Sequence, residues 1–341
     1  MNLPAEARYD ALLLVSFGGP ERPEDVMPFL ENVLRGKPVP RERMLEVAEH
    51  YYHLGGASPI NEQNRRLIAA LEAELAAHGP KLPIYWGNRN WRPFLADALR
   101  QMAADGVRRA LAFFTSAFSS YSGCRQYREN IAQAQAEVGP SAPPIDKLRG
   151  FFNHPGFIEA TAERVQQARE TIPAERRGES RLIFTAHSIP LAMAQNCRYE
   201  QQLHEACGLV AEQAGAADWG LAYQSRSGPP SQPWLEPDIC DVLRQLPAEG
   251  ARDVVVAPIG FISDHMEVIY DLDTEAQQVS RESGLKMVRA ATVGLHPKFI
   301  AMIRELIGER MGLVAERRAL GVLELCPDVC PDDCCRSGFP A

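Results

Sequence analysis

The sequence predicts an α/β protein built from two similar doubly wound domains, and three observations support this prediction. Short, continuously apolar runs alternate with longer segments whose apolar residues recur at helical spacing, as in parallel sheets covered by helices on both faces. The chain has 341 residues, which is long for one hydrophobic core. Two long segments also resemble each other in the order of their residues.

Six apolar runs are predicted as buried parallel strands. They cover residues 11–17, 83–88, 109–118, 181–188, 219–225 and 253–261. The segments between them, such as 61–78 and 92–106, carry apolar residues at helical spacing and end near Gly or Pro. In open parallel sheets the ligand binds outside the carboxyl ends of the strands, so functional residues are expected there.

The internal repeat aligns segment 85–120 with segment 223–263. Each runs from a Tyr through a polar loop with Arg, Trp and Pro to the letters D…LRQ, a Gly turn and an apolar strand. This pattern breaks near residue 150. We therefore predict an N-terminal domain over 1–150, a C-terminal domain over 151–316 and a cysteine-rich tail over 317–341, with a ligand cleft between the domains.

Composition and motifs argue against several classes of function. The net charge is −8 and no dense Lys/Arg run is present, which disfavours nucleic acid as a partner. No apolar stretch approaches the roughly 18 to 20 residues of a membrane span, and the first apolar run is typical of a strand rather than a signal peptide. We expect a cytoplasmic protein. The usual dinucleotide, P-loop and nucleophile-elbow motifs are absent, so NAD or ATP is not expected.

Ionisable residues collect at the predicted carboxyl ends of the second domain's strands. His187 closes one strand, and an acidic stretch, 261–276, follows another. A lone strand-end histidine is more often structural, and an acidic helix face is more often simply solvated. However, Glu267, Asp271 and Glu275 share a helix face, where like charges are destabilising unless protons or a cation are shared among them. The pattern predicts a path for a divalent metal or protons, with Glu267 innermost beside His187.

Half of the eight cysteines crowd the last sixteen residues. They are Cys326, Cys330, Cys334 and Cys335. In a chain with no export signal, such a cluster indicates a metal rather than disulfides. The spacing of Cys326 and Cys330 suits a zinc knuckle, and spare thiols are the other ordinary explanation.

Seven motifs in series resemble those of the ferrochelatases. They are SFGGPERPEDVMPFLENVLRGKPVP, GGASPINEQ, GNRNWRPF, TSAFSSYSGCRQYREN, TAHSIP, YQSRSGPPSQPWLEPD and PIGFISDHMEVIYDLDTEA. The resemblance covers about residues 9 to 310 and keeps motif order. It implies two Rossmann-like domains in the chelatase arrangement, a porphyrin clamped in the cleft, and insertion of Fe²⁺ in haem biosynthesis. Porphyrin and ferrous iron are the implied partners, with later enzymes of the haem pathway expected as further ones.

The resemblance also implies residue roles. His187 and Glu267 match the catalytic, metal-contacting pair that faces across the porphyrin, and Asp271 and Glu275 match the acidic metal-binding line leading away from it. A neutral imidazole can accept a pyrrole proton or ligate Fe²⁺, and carboxylates supply oxygen ligands and a second proton sink. The implied porphyrin-binding positions are Phe17, Arg35, His50, Tyr51, Ser58 and Tyr127.

The cysteine tail also has a counterpart in the family. Several ferrochelatases hold a [2Fe–2S] cluster with one cysteine from the body of the protein and three from the tail. Cys124 lies where that body ligand falls, so the resemblance implies a [2Fe–2S] cofactor. Four thiolates hold such a cluster, and one of the adjacent pair Cys334 and Cys335 is expected to be spare.

The segment 29–56 indicates which porphyrin is used. An enzyme that takes protoporphyrin from a membrane needs an apolar lip, but this segment is charged and broken by Pro38 and Pro40. Its cations, Arg35, Lys37, Arg41 and Arg43, suit the extra carboxylates of coproporphyrin III. We expect coproporphyrin III as substrate, giving coprohaem. The alternatives are a protoporphyrin IX ferrochelatase, a cobalt or nickel chelatase, and a haem or porphyrin carrier without catalysis.

Overall fold

The computed structural model describes residues 9–36, 39–229 and 231–339, which contain two parallel four-stranded sheets. The first sheet has the order β2-β1-β3-β4 and the second the order β6-β5-β7-β8. The strands are β1 (Ala11–Ser16), β2 (Ile84–Asn88), β3 (Ala110–Phe114), β4 (Ile145–Lys147), β5 (Arg181–His187), β6 (Trp219–Gln224), β7 (Asp253–Ala257) and β8 (Lys286–Arg289). The matching orders confirm two similar doubly wound units.

Helices connect the strands and cover the sheets. They are α1 (Val26–Leu34), α2 (Arg41–His53), α3 (Ile60–His78), α4 (Leu95–Ala104), α5 (Gln126–Val138), α6 (Pro155–Glu170), α7 (Leu191–Ala194), α8 (Tyr199–Gln213), α9 (Ile239–Gln245), α10 (Met266–Val268), α11 (Gln277–Glu282) and α12 (Pro297–Arg310). Two segments, Tyr121–Arg125 and Ile269–Ala276, are π-helical, and short 3₁₀ turns cover Pro23–Asp25, Ala174–Glu179 and Leu246–Glu249. In the described ranges, no helix combines the length and apolar character needed to cross a membrane.

All six predicted strands are present, although two end four residues earlier than predicted. The run 109–118 leaves the sheet after Phe114, and the run 253–261 leaves it after Ala257. β4 and β8 were not predicted from the sequence. Both lie at sheet edges, span only three or four residues and carry Lys or Arg, so neither shows the continuous apolar run of a central strand.

One apolar core joins the two sheets. Phe113 of β3 stacks on Phe151, with ring centroids 5.4 Å apart, and Phe151 contacts Phe157 of α6 and Phe299 of α12. All four rings are buried. This core contains residues from both sides of residue 150. The predicted boundaries at 150 and 316 stay predictions. The shared core holds the carboxyl ends of both sheets in fixed relation.

Candidate active site

His187 lies at the carboxyl end of β5, opposite Glu267 at the start of the acidic helix. The Nε2 of His187 is 3.6 Å from Oε2 of Glu267. Its other ring nitrogen, Nδ1, is 2.5 Å from the carbonyl oxygen of Ser188. A carbonyl only accepts, so Nδ1 carries a proton and Nε2 faces the carboxylate. The hydroxyl of Tyr199 donates to the His187 carbonyl at 3.1 Å, which fixes the strand end on α8.

The two side chains form an ion pair. Burial disfavours the charged ring, but the Glu267 carboxylate outweighs it and raises the pKa of His187 to about 9. Burial likewise opposes the charge of Glu267, yet the imidazolium lowers the pKa of this carboxyl to about 2. The side chains are 32% and 49% exposed, so a ligand can reach both. The neutral imidazole expected from the sequence is therefore not the state of His187 while it contacts Glu267.

The acidic stretch forms one continuous helix with a π-helical centre. His265 precedes it, and its Nδ1 accepts the backbone N–H of Glu267 at 3.2 Å. Within Ile269–Ala276 the hydrogen bonds widen to i→i+5, as between the N–H of Gln277 and the carbonyl of Leu272. The sequence predicted a regular helix here, so the π-helical turns are a correction. Such turns occur frequently at functional sites.

Asp271 is held against the end of β6. Its Oδ2 accepts a hydrogen bond from the hydroxyl of Ser225 and a second, at 3.3 Å, from Nε2 of Gln224. Burial raises the pKa of Asp271 to about 7, and the neighbouring charges of Glu267 and Glu275 act in the same direction. A carboxyl with this pKa can take up and release protons near neutral pH.

The outer end of the acidic row is less enclosed. Burial raises the pKa of Glu275, with a further contribution from the charge of Asp238.

Three supporting residues in this region, Tyr199, Ser225 and His265, were given no role from the sequence. Only Ser225 had a usable signal, because it is the last residue of a predicted strand. Its backbone has φ of +62°, which is uncommon for a residue other than glycine and concentrates at functional sites.

An aromatic wall from the first half faces this pair. Phe17 directly follows β1 and lies 6.2 Å from Phe29, whose ring is 5.9 Å from that of Tyr51. These rings belong to α1, α2 and the β1 loop, and Met266 of the acidic helix packs into the same apolar cluster. Burial raises the pKa of Tyr51, as does the nearby charge of Glu267. The structure therefore brings Phe17, Tyr51 and Glu267 to one cleft between the halves.

The other four predicted porphyrin contacts lie at different depths. His50 stacks on Tyr270 of the acidic helix, with ring centroids 3.9 Å apart and planes 9° from parallel. Arg35 is exposed. Ser58 and Tyr127 are buried in the first half, at 7% and 5% exposure. Their roles toward a porphyrin stay predictions.

Only part of the predicted basic lip belongs to the described residues. Lys37 and Pro38 lie outside them. Arg41 and Arg43 on α2 are exposed, as expected. The same helix also exposes Leu45 and Tyr52, at 45% and 40%, which the sequence did not predict. The lip is therefore a mixed charged and apolar surface.

The candidate metal ligands do not converge on a single point. Across residues 9–36, 39–229 and 231–339, no three or more His, Cys, Asp or Glu side chains are grouped so as to hold a metal ion. His187, Glu267, Asp271 and Glu275 instead follow one another along the cleft. Their assignment as metal ligands stays a prediction.

The tail brings its cysteines to the π-helical segment that contains Cys124. Cys124, Cys326 and Cys330 line one cavity together with Lys147. The Cys124 thiol hydrogen-bonds the sulfur of Cys330 and, with the nearby cations, lowers the pKa of Cys330. Gly150 also borders Cys326, because a Cβ there would lie 2.8 Å from the sulfur. By contrast, the hydrogen bond to Cys330 and burial raise the pKa of Cys124, and burial raises the pKa values of Cys334 and Cys335. Sulfur donors beside cations fit the ligand set of an iron–sulfur cluster, which would have to deprotonate these thiols on binding.

Cys334 and Cys335 continue this group of sulfur atoms. The Sγ of Cys334 accepts a hydrogen bond from Nη1 of Arg128 at 3.2 Å. Cys334 also contacts Cys330, and Cys335 contacts Cys334. Both are therefore close to Cys330, and these contacts do not select one of them.

Comparison with known proteins agrees with this architecture. The family model described as Ferrochelatase matches residues 9–311. The chain is 63% identical over 328 residues to a ferrochelatase of Rhodopirellula baltica, covering 96% of this chain and 93% of the relative. It is 51% identical over 361 residues to a coproporphyrin III ferrochelatase of Streptomyces griseus, covering 99% and 96%.

Solved structures show the same fold at low identity. SirB from Bacillus subtilis with Fe³⁺ superimposes with a TM-score of 0.55 at 11% identity, covering 89% of this chain and 96% of that one. The sirohydrochlorin chelatase SirB in complex with cobalt gives a TM-score of 0.53 at 12% identity, with the same coverage. These two likenesses concern the fold alone. The family match over residues 9–311 and the long, close relatives establish that the chain belongs to the ferrochelatase family.

Proposed function

We propose that this protein inserts Fe²⁺ into coproporphyrin III in the cytoplasm, giving coprohaem that passes to later enzymes of haem biosynthesis. The observation that carries the proposal is the opposition of His187 and Glu267 across 3.6 Å at the cleft between the two halves. The acidic helix leads away from this pair, and the aromatic wall faces it. Relatives at about half identity over nearly the whole chain are coproporphyrin III ferrochelatases.

The reaction replaces two pyrrole protons by one Fe²⁺ ion, so the site must accept protons and admit a cation. A porphyrin lying between His187 and Glu267 separates the ion pair. Without the adjacent carboxylate, the burial that now opposes the charge on His187 dominates, and its pKa falls. The imidazole then becomes neutral and can accept a pyrrole proton through Nε2.

The acidic row supplies the second part of the reaction. Glu267 contacts the face opposite His187, and Asp271, with its pKa of about 7, exchanges protons or holds an oxygen-ligated cation near neutral pH. Glu275 continues the row outward. Successive carboxylates bind a divalent ion weakly enough at each position to let it move on, in keeping with the spread-out arrangement of the row.

The preference for coproporphyrin III is supported by charge around α1 and α2. Arg41 and Arg43 are exposed at the lip, and Arg35 lies at the end of α1. Such cations pair with propionates. The exposed Leu45 and Tyr52 lie among Glu46 and Glu49 on α2, so they do not form the continuous apolar face of a membrane-inserted helix.

We also propose a [2Fe–2S] cluster at the tail. Cys124, Cys326 and Cys330 would supply three thiolates and either Cys334 or Cys335 the fourth. Support comes from the shared cavity, from the cations Lys147 and Arg128, and from the space that Gly150 leaves for Cys326. When bound, such a cluster can carry one electron and ties the tail to the body of the protein.

The substrate proposal is tested by measuring kcat/KM for Fe²⁺ insertion into coproporphyrin III and protoporphyrin IX in detergent-free buffer. A parallel series in detergent controls for the poor solubility of protoporphyrin. We expect coproporphyrin III to be preferred by at least about tenfold in both series, because each charge-assisted contact to a propionate stabilises its complex. A preference for protoporphyrin in both series would contradict the substrate, and binding of either porphyrin without turnover would indicate a carrier.

A further inference from the structure

Arg89 is a half-buried arginine on the cleft wall whose described partners are neutral. It follows β2 directly, and its Nε donates to Oδ1 of Asn130 at 2.7 Å while Nη1 donates to the carbonyl of Ser122 at 3.3 Å. Its guanidinium lies over the ring of Tyr127 at 4.7 Å and over that of Phe17 at 5.6 Å. Within the described part of the chain, no carboxylate oxygen lies within 4.0 Å of it.

The acidic side chain whose charge acts on Arg89 is already engaged elsewhere. Glu129 accepts from Nε of Arg125 at 2.8 Å and from the hydroxyl of Tyr121 at 3.0 Å. Burial correspondingly disfavours the charge of Arg89 and lowers its pKa. A desolvated guanidinium with only neutral partners costs free energy that an incoming carboxylate would offset, with two parallel hydrogen bonds if it binds bidentately.

Arg89 is connected to Arg35 around Phe17. Asn90 donates to the carbonyl of Phe17 at 3.3 Å, and Asn32 donates to the carbonyl of Asn90 at 3.3 Å. Arg35 in turn donates to the side-chain oxygen of Asn32 at 2.6 Å. Hydrogen bonds therefore connect Arg35, through Asn32, to Asn90, the residue that follows Arg89 in the chain.

We propose that Arg89 binds a carboxylate of the porphyrin and acts as a specificity-determining residue for substrates with more than two carboxylates. The inference rests on the proposed function and adds an inner anchoring point to the outer one at Arg35. The rings of Phe17 and Tyr127 hold the guanidinium in place before the ligand arrives, so little side-chain entropy is lost on binding.

The test compares binding of coproporphyrin III with binding of its uncharged tetramethyl ester, both followed by fluorescence in the same detergent solution. Arg89→Gln should weaken binding of the acid about 10- to 100-fold, as expected for a lost charge-assisted contact. Binding of the ester should change less than about twofold. The matched control is Arg100→Gln, an exposed arginine on α4 that pairs with Asp97 at 3.0 Å and should alter neither value.

Equal weakening for acid and ester would overturn the proposal, because it would show that Arg89 only supports the aromatic wall. Unchanged binding of the acid would overturn it as well. If thermal unfolding shows that Arg89→Gln does not fold, Arg89→Lys decides, with an expected loss of about 3- to 10-fold for the acid alone. Wild-type protein that does not bind coproporphyrin III would contradict the proposed substrate itself, whereas normal wild-type binding with an unaffected Arg89→Gln variant contradicts only this subsite.

Discussion

The active-site cleft and the cysteine tail are built from the same two backbone devices. Each contains a π-helical segment, Ile269–Ala276 in the cleft and Tyr121–Arg125 beside the tail. Each also contains one of the two non-glycine residues with positive φ in the described chain, Ser225 at 62° and Cys335 at 52°. Such backbone persists where the surroundings determine it, and it concentrates at functional sites.

The two regions differ in how their charges are balanced. In the cleft, His187 and Glu267 neutralise each other directly, and a ligand placed between them changes both pKa values. At the tail, the thiols adjoin one another, and the balancing charge comes from Lys147 and Arg128. A ligand that separates His187 from Glu267 would therefore change the charge balance of the cleft, whereas the sulfur atoms at the tail face cations of the protein itself.

Helix α8 connects the two regions. Its buried Gln202 donates to the sulfur of Cys326 at 3.4 Å and accepts the backbone N–H of Ser119 at 2.7 Å. One turn earlier, Tyr199 donates to the carbonyl of His187. The tail also bridges both halves, because Arg125 donates to the carbonyl of Asp332 and Glu205 accepts the N–H of Leu323. Loss of the tail should therefore loosen the protein as a whole.

The largest expected effect is at the tail. Cys124→Ser should remove the visible absorbance of the proposed cluster completely, because this thiol is the one proposed ligand outside the tail. Wild-type protein should contain about two irons and two sulfides per chain by elemental and sulfide assay. Separate Cys334→Ser and Cys335→Ser variants should differ, with one keeping the cluster. Zinc in place of iron, or a cluster unaffected by Cys124→Ser, would contradict the proposed ligands.

At the cleft, His187→Ala should lower kcat for iron insertion by at least about 10²-fold, the usual scale for losing a positioned proton acceptor. Circular dichroism and thermal unfolding should show a folded protein. His204→Ala is a matched control, because this histidine lies on α8 beside Trp219 and should leave kcat near the wild-type value. Near-normal turnover in a folded His187→Ala protein would refute its role.

The acidic row should show a graded and smaller response. Glu267→Gln removes the carboxylate that contacts His187 and should lower kcat most, by about tenfold or more. Glu275→Gln, at the outer end, should change kcat only a few-fold, with Asp271→Asn between them. Steady-state kinetics at saturating porphyrin and varied Fe²⁺ measure the gradient. Equal effects at all three positions would favour simple surface electrostatics over a directed path.

Much of the fold could be predicted because parallel topology leaves a strong signal in sequence. Central strands such as β1 are buried at every position and almost entirely apolar, and the carboxyl ends of β5 and β7 direct attention to His187 and to the acidic stretch. The repeat predicted two similar units. The sequence did not predict the edge strands β4 and β8. They are short and charged, so they lack the continuous apolar run by which a buried strand is predicted.

The π-helical turns, the path of the tail and the charge state of His187 depend on contacts between residues far apart in the sequence. The π-helical turns of the acidic helix accompany the hydrogen bonds from Ser225 and Gln224 to Asp271, more than forty positions away. The path of the tail depends on Arg125 and Glu205, each more than one hundred positions from its partner. The charge state of His187 likewise follows from its distance to Glu267. Residue patterns predicted the chemistry of these groups, but not which distant groups they contact or how those contacts change their charge.

The pKa of His187 is the decisive property, because the proposed proton acceptor forms only when porphyrin separates His187 from Glu267. Titration of ¹³C-labelled histidine by NMR, with His187→Ala identifying the signal, would measure it with and without metal-free coproporphyrin III. We predict a pKa of about 9 in the free protein and a fall to below about 7 in the complex, near or under the ordinary histidine value. A ring that stays charged at pH 8 in the complex could not accept a pyrrole proton and would contradict the account.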